Sequence, residues 1–237
     1  MNEEQRLELN AEINEIIKTR KEFIERNYLP LRRAYKEGYD WPEIDTLRHE
    51  ITLALIFGLA QAAITLTNHL LESLLKNSLI YFDSDKQSSK EPKEINKLVD
   101  SLVKLFSPGR TKYGSQNLSN NINSACRLGI ITEDEKVQLH EYREHFRNAY
   151  GHSDAEKIFG DKTITAQGVK IEDDKLISGD NEISRIAELT IVQGLTQVYQ
   201  AQEEAIPYFL YMDGLVRRIF SRLFPKSAGG GLTTRSS

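Results

Sequence analysis

Apolar residues recur along most of this chain at spacings of three and four, the period of an amphipathic helix. A first run covers residues 3 to about 28, where Pro30 interrupts it. A longer run without an internal proline covers residues 43 to about 82 and follows the start signal Asp40-Trp41-Pro42-Glu43, with Asp40 expected to cap the helix. The pattern therefore predicts a first helix and then one long central helix that forms the spine of the protein.

The most apolar stretch of the chain, residues 51 to 66, lies inside this long helix. It falls short of the roughly 20 apolar residues that a membrane span requires, so we predict a buried core helix and no membrane association. Three small residues recur every four positions and predict a close approach by a helix of the same chain or of a partner subunit: Ala54, Gly58 and Ala62. We interpret His69 as a hydrogen-bonded core histidine, with a supporting role at an active site as the alternative.

Shorter helices separated by polar loops follow. Residues 83–92 and 107–114 are rich in serine, glycine and charge and are predicted loops, and helices are predicted at 94–106 and 116–128. The final helix is predicted from about residue 182 to 224. Pro207 should kink or split that helix.

The loop 107–114 contains two cations and an aromatic ring. Arg110 and Lys112 stand next to Tyr113, between Gly109 and Gly114. Such a loop could contact a nucleic-acid backbone through its cations and stack a base on its ring. An ordinary solvated turn is the alternative reading of the same residues.

One segment carries β-strand patterns instead of helical ones. Thr163–Ala166 and Val169–Glu172 flank Gln167-Gly168 and predict a small β-hairpin within residues 162–177, with a third short strand at Lys175–Ile177. The segment lies close in sequence to the residues with the most chemical potential, so it could serve as a lid or as a partner-binding edge.

Composition fits one helical domain over residues 1–225, in which residues 1–40 form an N-terminal extension and residues 226–237 a disordered tail. The chain has 237 residues, of which 39% are hydrophobic and 28% charged. The net charge of -4 argues against a broad basic surface for duplex nucleic acid. A single cysteine, Cys126, and an acidic, polar N-terminus favour a cytoplasmic protein without a secretory signal.

The densest group of chemically active side chains lies between residues 147 and 152, where Arg147, Asn148, Tyr150 and His152 fall within six positions. A capping box of Thr132 and Glu135 predicts the start of the preceding helix, which should end near Gly151. An arginine suits phosphate binding, and a histidine transfers protons near neutral pH. Nothing in this stretch resembles a metal site, and we expect no cofactor.

Helix geometry limits how these residues can act together. On an ideal α-helix Asn148 and His152 share a face, whereas Arg147 and His152, five positions apart, point in different directions. Both could meet one ligand if the helix turns at Gly151 or if a second copy supplies half of the site. The alternative is that Arg147 only pairs with a carboxylate and His152 only contacts the last carbonyl groups of the helix.

The spacing Arg147-Asn148-x-x-x-His152 resembles the Arg-x(4–6)-His signature of the HEPN superfamily, including the polar residue that often follows the arginine. The order of two long helices, shorter helices and a late motif also resembles the HEPN helical bundle over residues 43 to 224. The first 40 residues and the hairpin segment would be additions to that bundle. Asp154 stands where one antitoxin-partnered subgroup of the family has tyrosine.

This resemblance implies an all-α, HEPN-like bundle and a metal-independent endoribonuclease that acts on single-stranded RNA as a homodimer. It assigns His152 as general acid or base, Arg147 as the phosphate ligand, and Asn148 as the residue that orients either. Tyr150 would support them by packing, and Arg143 would join the RNA-binding cations. Such proteins serve as toxins or in defence against phage, restrained by an antitoxin or another regulatory protein.

Two other functional classes are consistent with the same residues. A non-catalytic HEPN-like module would bind RNA, a nucleotide or a protein partner without performing chemistry. A purely helical scaffold would use Arg147 only in an ion pair. The intact arginine and histidine favour the enzyme over the non-catalytic module, and the scaffold stays open as a third possibility.

Overall fold

The computed structural model describes residues 1–85, 95–148, 164–172, 175–183 and 190–225, which are mostly helical. The predicted tail at 226–237 lies outside the described residues. The elements, in chain order, are α1 (Glu3–Lys36), α2 (Pro42–Ile56), α3 (Ala60–Asp85), α4 (Ile95–Tyr113), α5 (Leu118–Arg127), α6 (Glu133–Tyr142), a π-helical turn (Arg143–Asn148), β1 (Ile164–Glu172), β2 (Lys175–Ile183) and α7 (Thr190–Leu223). No described helix has both the length and the hydropathy that crossing a bilayer would require.

The first helix continues through its proline. We predicted that Pro30 would interrupt it, but Pro30 lies inside α1 and the helix ends only at Lys36. Proline removes one backbone hydrogen-bond donor from the helix. The loss is compensated by packing of the residues after Pro30, because Leu31 and Ala34 are buried. The N-terminal end of α1 is fixed by a capping box between Asn2 and Gln5.

The predicted central helix is broken into α2 and α3, so the prediction of one continuous spine was wrong. The break contains Gly58, which has a φ of +74°, and a Cβ atom built there would lie 2.4 Å from the ring of Phe23. Glycine therefore provides a left-handed turn and lets α1 approach closely. The predicted small-residue face does not form, since Ala54 is half-buried before the break and Ala62 is exposed after it.

The start of α2 also differs from the prediction. Asp40 does not cap the helix; it adopts a φ of 55°, and Trp41 is the N-terminal cap without a side-chain hydrogen bond. The carboxylate of Asp45 instead accepts hydrogen bonds from the backbone N–H of Tyr39 at 2.9 Å and of Trp41 at 3.2 Å. The turn is therefore stabilised from within the helix instead of from the residue before it.

A buried arginine joins this turn to the C-terminal helix. Arg48, with a side chain only 1% exposed, donates to Asp213 of α7 at 2.6 Å and to Asp45 at 2.8 Å. It also donates to the carbonyl oxygen of Glu37 at 3.1 Å. Removing one partner from such a buried network leaves an uncompensated charge, so these contacts hold α2 and α7 in one relative position.

Residues 107–113 are helical, so the loop that we predicted at 107–114 is wrong. Pro108 and Gly109 lie within α4. Gly109 packs so closely against α3 that a Cβ atom built on it would lie 3.1 Å from the Cα atom of Ile80. Tight packing between α3 and α4 thus overrides two residues that usually end helices.

The core is organised around α3 and α7. Fully buried side chains of α3 meet those of α7, among them Ile64, Leu70, Leu71, Leu74, Leu75, Tyr208, Phe209, Met212, Leu215 and Ile219. Pro207 lies inside α7, which the structure describes as one uninterrupted helix, so the predicted split does not occur. His69 is exposed, because it lies on the side of α3 that faces away from this core, and its prediction as a core residue was wrong.

The strands β1 and β2 pair antiparallel, with Ile164 opposite Ile183 and Glu172 opposite Lys175. Their positions differ from the predicted ones. Gln167 and Gly168, where we placed the turn, lie within β1, and the residues predicted to form a third strand belong to β2. The paired strands therefore continue to Ile183, beyond the predicted segment 162–177.

Candidate active site

The motif helix begins as predicted but does not continue as an α-helix. Thr132 accepts from the N–H of Glu135 at 3.2 Å, and the Glu135 carboxylate accepts from the N–H of Thr132 at 2.9 Å, which confirms the capping box. The predicted α-helix to about Tyr150 was wrong, because α6 ends at Tyr142 and the chain then forms a π-helical turn over Arg143–Asn148. Such turns carry hydrogen bonds between residues five apart and occur frequently at functional sites.

The geometric argument for a composite site depends on the backbone between Arg147 and His152. We predicted that Arg147 and His152 point in different directions because they are five apart on an α-helix. In the described part of the chain, the π-helical turn extends only to Asn148, so this stays a prediction. His152 itself, like Tyr150, lies outside the described residues. Asn148 ends the turn, and its side chain also lies outside the described part.

Arg147 is held by a carboxylate of the central helix. Its Nε donates to Oε1 of Glu72 in α3 at 3.0 Å, and the two side chains are 42% and 31% exposed. An ion pair with this exposure keeps access to water. Glu72 was not singled out from the sequence, although it stands four positions after Asn68 on the same face of α3.

Asn68 links the π-helical turn to α7. Its amide donates to the carbonyl oxygen of Phe146 at 3.4 Å, and its carbonyl oxygen accepts from the Tyr208 hydroxyl at 2.9 Å. The rings of Phe146 and Tyr208 are stacked, with centroids 4.1 Å apart and planes 10° from parallel. Burial raises the pKa of the Tyr208 phenol far above its ordinary value, so this hydroxyl remains a donor.

Together, these contacts fix the backbone on which Arg147 sits. Tyr142 packs against the same aromatic pair, with ring centroids 5.6 Å from Phe146 and 5.1 Å from Tyr208. The single sequence signal for this arrangement was the aromatic residue directly before Arg147. Tyr208 and Asn68 lie too far away in sequence for spacing to connect them with the motif.

A second histidine of the motif region has an acidic partner. His145 lies 3.0 Å from Glu204 of α7 through Nε2, and Gln200 donates to the same carboxylate at 3.0 Å. The His145 side chain is 37% exposed and pairs with a residue of a different element. The adjoining groove has a volume of about 320 Å³ and is lined by Glu141 and Glu203 as well. This side of the motif is therefore acidic and disfavours phosphate.

Two cations of the motif helix and the turn after it, Lys136 and Arg143, have carboxylate partners. Arg143 contacts the carboxylate of Glu144, and Lys136 donates to Glu133 at 3.0 Å. Burial, and then the charge of Arg143, lower the pKa of His140 below its ordinary value. Arg143 therefore already has a carboxylate partner in this structure, which weakens its predicted role as an RNA ligand.

The three residues predicted to bind RNA from a loop are not on a loop. Arg110 is exposed in the last turn of α4, and Lys112 donates to Asp83 at 3.3 Å. Tyr113 is 0% exposed, with the Lys112 ammonium 4.7 Å from its ring centroid, so its ring cannot stack a base. The prediction of a stacking surface here was wrong because helix α4 turns this tyrosine into the core.

Among the described residues, no group of three or more His, Cys, Asp or Glu side chains is arranged to hold a metal ion. The candidate site is thus Arg147 with its positioning partners Glu72, Asn68 and Tyr208, directly before the motif residues that the structure does not describe. Comparisons with protein-family models, with curated proteins and with solved structures gave no match to this chain.

Proposed function

We propose that this chain is a HEPN-like, metal-independent endoribonuclease that cleaves single-stranded RNA, as a toxin or as an effector of defence against phage. The observation that supports the proposal is the π-helical turn Arg143–Asn148, which replaces α-helix where the Arg-x4-His motif begins. An interrupted hydrogen-bond ladder is costly in a plain scaffold, and it is common where a protein aims side chains at a ligand. Here it aims Arg147 at a partly exposed position beside Glu72.

In the proposed reaction the 2′-hydroxyl oxygen attacks the neighbouring phosphorus. A new oxygen–phosphorus bond forms, the bond to the 5′-oxygen breaks, and the products are a 2′,3′-cyclic phosphate and a 5′-hydroxyl. Arg147 binds the phosphate and the negative charge that grows on it. His152 removes the hydroxyl proton or delivers one to the 5′-oxygen. Asn148 orients the histidine or the phosphate, and Tyr150 supports them by packing.

The reaction moves two protons, and the motif contains one histidine. We therefore retain the proposal of a homodimer in which two motifs face one cleft, so that the second copy supplies the second proton-transfer group. The acidic groove beside His145 indicates that RNA approaches from the opposite side of Arg147. A regulatory partner, such as an antitoxin, would then act by covering the same cleft.

One observation favours a second candidate function, a non-catalytic helical module. The contact between Arg147 and Glu72 is a common structural ion pair, and it would exist without any reaction. In that case Arg147 only joins the π-helical turn to α3. The module would bind RNA, a nucleotide or a protein through its surface and leave RNA intact.

One RNA cleavage assay distinguishes the two proposed functions. We expect purified protein to cleave single-stranded RNA in the presence of EDTA, and R147A and H152A each to lower the rate by about 100- to 10,000-fold, the range for losing a positioned catalytic group. H69A is the matched control, since His69 is exposed on α3 next to Asn68. Absence of cleavage by the wild type, or equal cleavage by the two variants, would leave the binding module as the function.

Stability measurements complete the test. If Arg147 serves only as a structural ion pair, R147A and E72Q should lower the melting temperature to the same degree. If Arg147 binds the phosphate, R147K should retain the fold and recover part of the activity, because it keeps the charge without the forked donor geometry.

A further inference from the structure

A groove of about 360 Å³ lies between the C-terminal part of α1 and α7. Three arginines line it, Arg33 from α1 and Arg217 and Arg218 from α7. A volume of this size is within the range of sites for small molecules. The groove includes no residue of the candidate active site, so its chemistry can be considered separately.

The three arginines of the groove all use the same atom for their hydrogen bonds within the protein. In each of them Nε is the donor, and the acceptors are the Glu37 carboxylate at 2.8 Å from Arg33, the Tyr39 hydroxyl at 3.4 Å from Arg217 and the Glu135 carboxylate at 2.6 Å from Arg218. For Arg33 and Arg217, no described residue accepts a hydrogen bond from the two terminal nitrogens. Those two nitrogens form the fork that matches two oxygens of one phosphate group.

Arg217 carries a positive charge that the protein does not balance. Five arginines and four carboxylates form the charged network of the groove, and the pairs are Arg33 with Glu37, Arg48 with Asp45 and Asp213, and Arg218 and Arg222 with Glu135. Within the described part of the chain, Arg217 makes no ion pair with a carboxylate. The residues that flank Arg33 on the exposed side of α1, Arg32 and Lys36, are cations as well and do not offset this charge.

The hydroxyl group that holds Arg217 is neutral. Burial, and then the negative charge of Asp213, raise the pKa of the Tyr39 phenol above its ordinary value. The hydroxyl also donates to the backbone carbonyl oxygen of Asp213 at 3.4 Å, which fixes its position. Tyr39 therefore orients the guanidinium of Arg217 without cancelling its charge.

The rest of the groove indicates which phosphate compound fits. Asp213 lines the groove, and its Oδ1 accepts from Arg48 at 2.6 Å, while no described residue donates to its Oδ2. A carboxylate oxygen repels a second anion and accepts a hydrogen bond from a hydroxyl group. The rim is aliphatic, with Pro30 and Leu210, and none of the described lining residues offers an aromatic ring on which a base could stack.

We propose that the groove between α1 and α7 binds a phosphate ester of a small sugar or polyol. The phosphate oxygens bind the terminal nitrogens of Arg217 and Arg33, a hydroxyl group donates to Asp213, and the carbon skeleton packs against Leu210. The ligand contacts both helices and so ties the end of α1 to α7. The site contains neither Arg147 nor His152, so it stands independently of the ribonuclease proposal.

The test is isothermal titration calorimetry on the full chain with ribose 5-phosphate, inorganic phosphate and ribose. We expect ribose 5-phosphate to bind more tightly than inorganic phosphate, and ribose alone not to bind. R217A should weaken the binding of ribose 5-phosphate by about 10- to 100-fold, the usual effect of losing a charge-assisted contact. R217K should recover part of the affinity, because it keeps the charge without the fork. The matched control is R32A, which removes an exposed arginine of α1 and should bind as the wild type does.

A second variant guards against a loss of fold. Arg217 is half-buried, so circular dichroism checks the fold of R217A, whereas the Arg33 side chain is 54% exposed and R33A should weaken binding without unfolding risk. Absence of ribose 5-phosphate binding, or wild-type affinity in both variants, overturns the proposal.

Two further results would also overturn the assignment of the ligand. Inorganic phosphate bound as tightly as the ester would make the groove a site for any oxyanion. Displacement of ribose 5-phosphate by single-stranded RNA, with RNA binding lost in R217A, would make it an RNA contact. R217A should cleave RNA as the wild type does, so the failure of this site and the failure of the proposed activity can be told apart.

Discussion

The guanidinium of Arg147 meets the carboxylate of Glu72 at 3.0 Å across two helical elements that are 75 positions apart in the chain. Both side chains are partly exposed. We therefore expect E72Q to change the free energy of unfolding by no more than about 1 kcal/mol, the usual limit for an exposed ion pair. The expected effect on RNA cleavage is larger, because Arg147 would lose its orientation.

The measurement is a pair of urea titrations with parallel cleavage assays. E50Q is a suitable control, since Glu50 is an exposed glutamate of α2. Normal cleavage by E72Q would remove Glu72 from the site and leave it as a surface contact.

Glu135 is expected to be a sensitive carboxylate outside the site. It accepts from Arg218 and Arg222 of α7 at 2.6 Å each, and it is 8% exposed. E135Q should destabilise the protein by about 2 kcal/mol, because it weakens charge-assisted hydrogen bonds at a buried carboxylate, although the side chains of Arg218 and Arg222 are 42% and 31% exposed. E133Q is the control on the same turn, where the glutamate is exposed. Equal melting temperatures for the two variants would contradict this expectation.

The same carboxylate should make stability depend on pH. Burial opposes ionisation of Glu135, but hydrogen bonds from Arg222, Thr132 and Arg218 outweigh it and hold its pKa below the ordinary value. A lowered pKa in the folded state means that the stabilisation is present above the unfolded pKa and is lost as pH falls through the folded one. The wild type should therefore lose stability in acid more steeply than E135Q, as followed by circular dichroism.

Two glycines allow backbone strain to be separated from steric overlap. Gly58 and Gly129 have φ values of +74° and +73°, but only at Gly58 would a Cβ atom meet a neighbour, the Phe23 ring at 2.4 Å. G129A should cost about 1 kcal/mol from the left-handed conformation alone. G58A should cost clearly more, because α1 must move. Chemical denaturation of both variants provides the comparison, and equal losses would show that Phe23 adjusts freely.

The hydroxyl of Tyr208 offers a test of the contacts behind Arg147. Y208F removes the donor to Asn68 and keeps the stacked ring, so the loss in unfolding free energy should be about 1 kcal/mol. Cleavage should also fall if this contact holds the π-helical turn in place. Y199F is the control, since Tyr199 is 72% exposed on the same helix. Unchanged stability of Y208F would mean that Asn68 finds another donor.

The sequence predicted the helical class and the capping box at Thr132, because both depend on local patterns. The predictions of where helices end failed at positions where packing between helices, and not the local sequence, determines the backbone. Pro30, Pro108 and Pro207 all lie inside helices, since neighbouring helices compensate for the missing hydrogen bond. Conversely, the break at Gly58 occurs in the most apolar run, because Phe23 of a different helix occupies the space beside it.

The candidate site also combines a residue that local sequence predicts with partners that only packing between helices brings together. Arg147 was found from its chemical type and spacing, but its partners come from α3 and α7, and no local pattern connects them to the motif. Tyr113 was wrongly predicted to be exposed, because the sequence cation-tyrosine-glycine occurs both in loops and at the ends of helices. Only the packing of α4 on α3 reveals that the ring is buried.

The pairing of α3 with α7 has a consequence for how the protein is made. The two helices that form the centre of the core are separated by all the residues between Asp85 and Thr190. On the ribosome, the apolar face of α3 therefore emerges long before α7 can cover it. Closing so long a connection costs chain entropy and delays the final step. A chain that stops before α7 exposes Leu70 and Leu74, so incomplete copies should be recognised by chaperones or proteases.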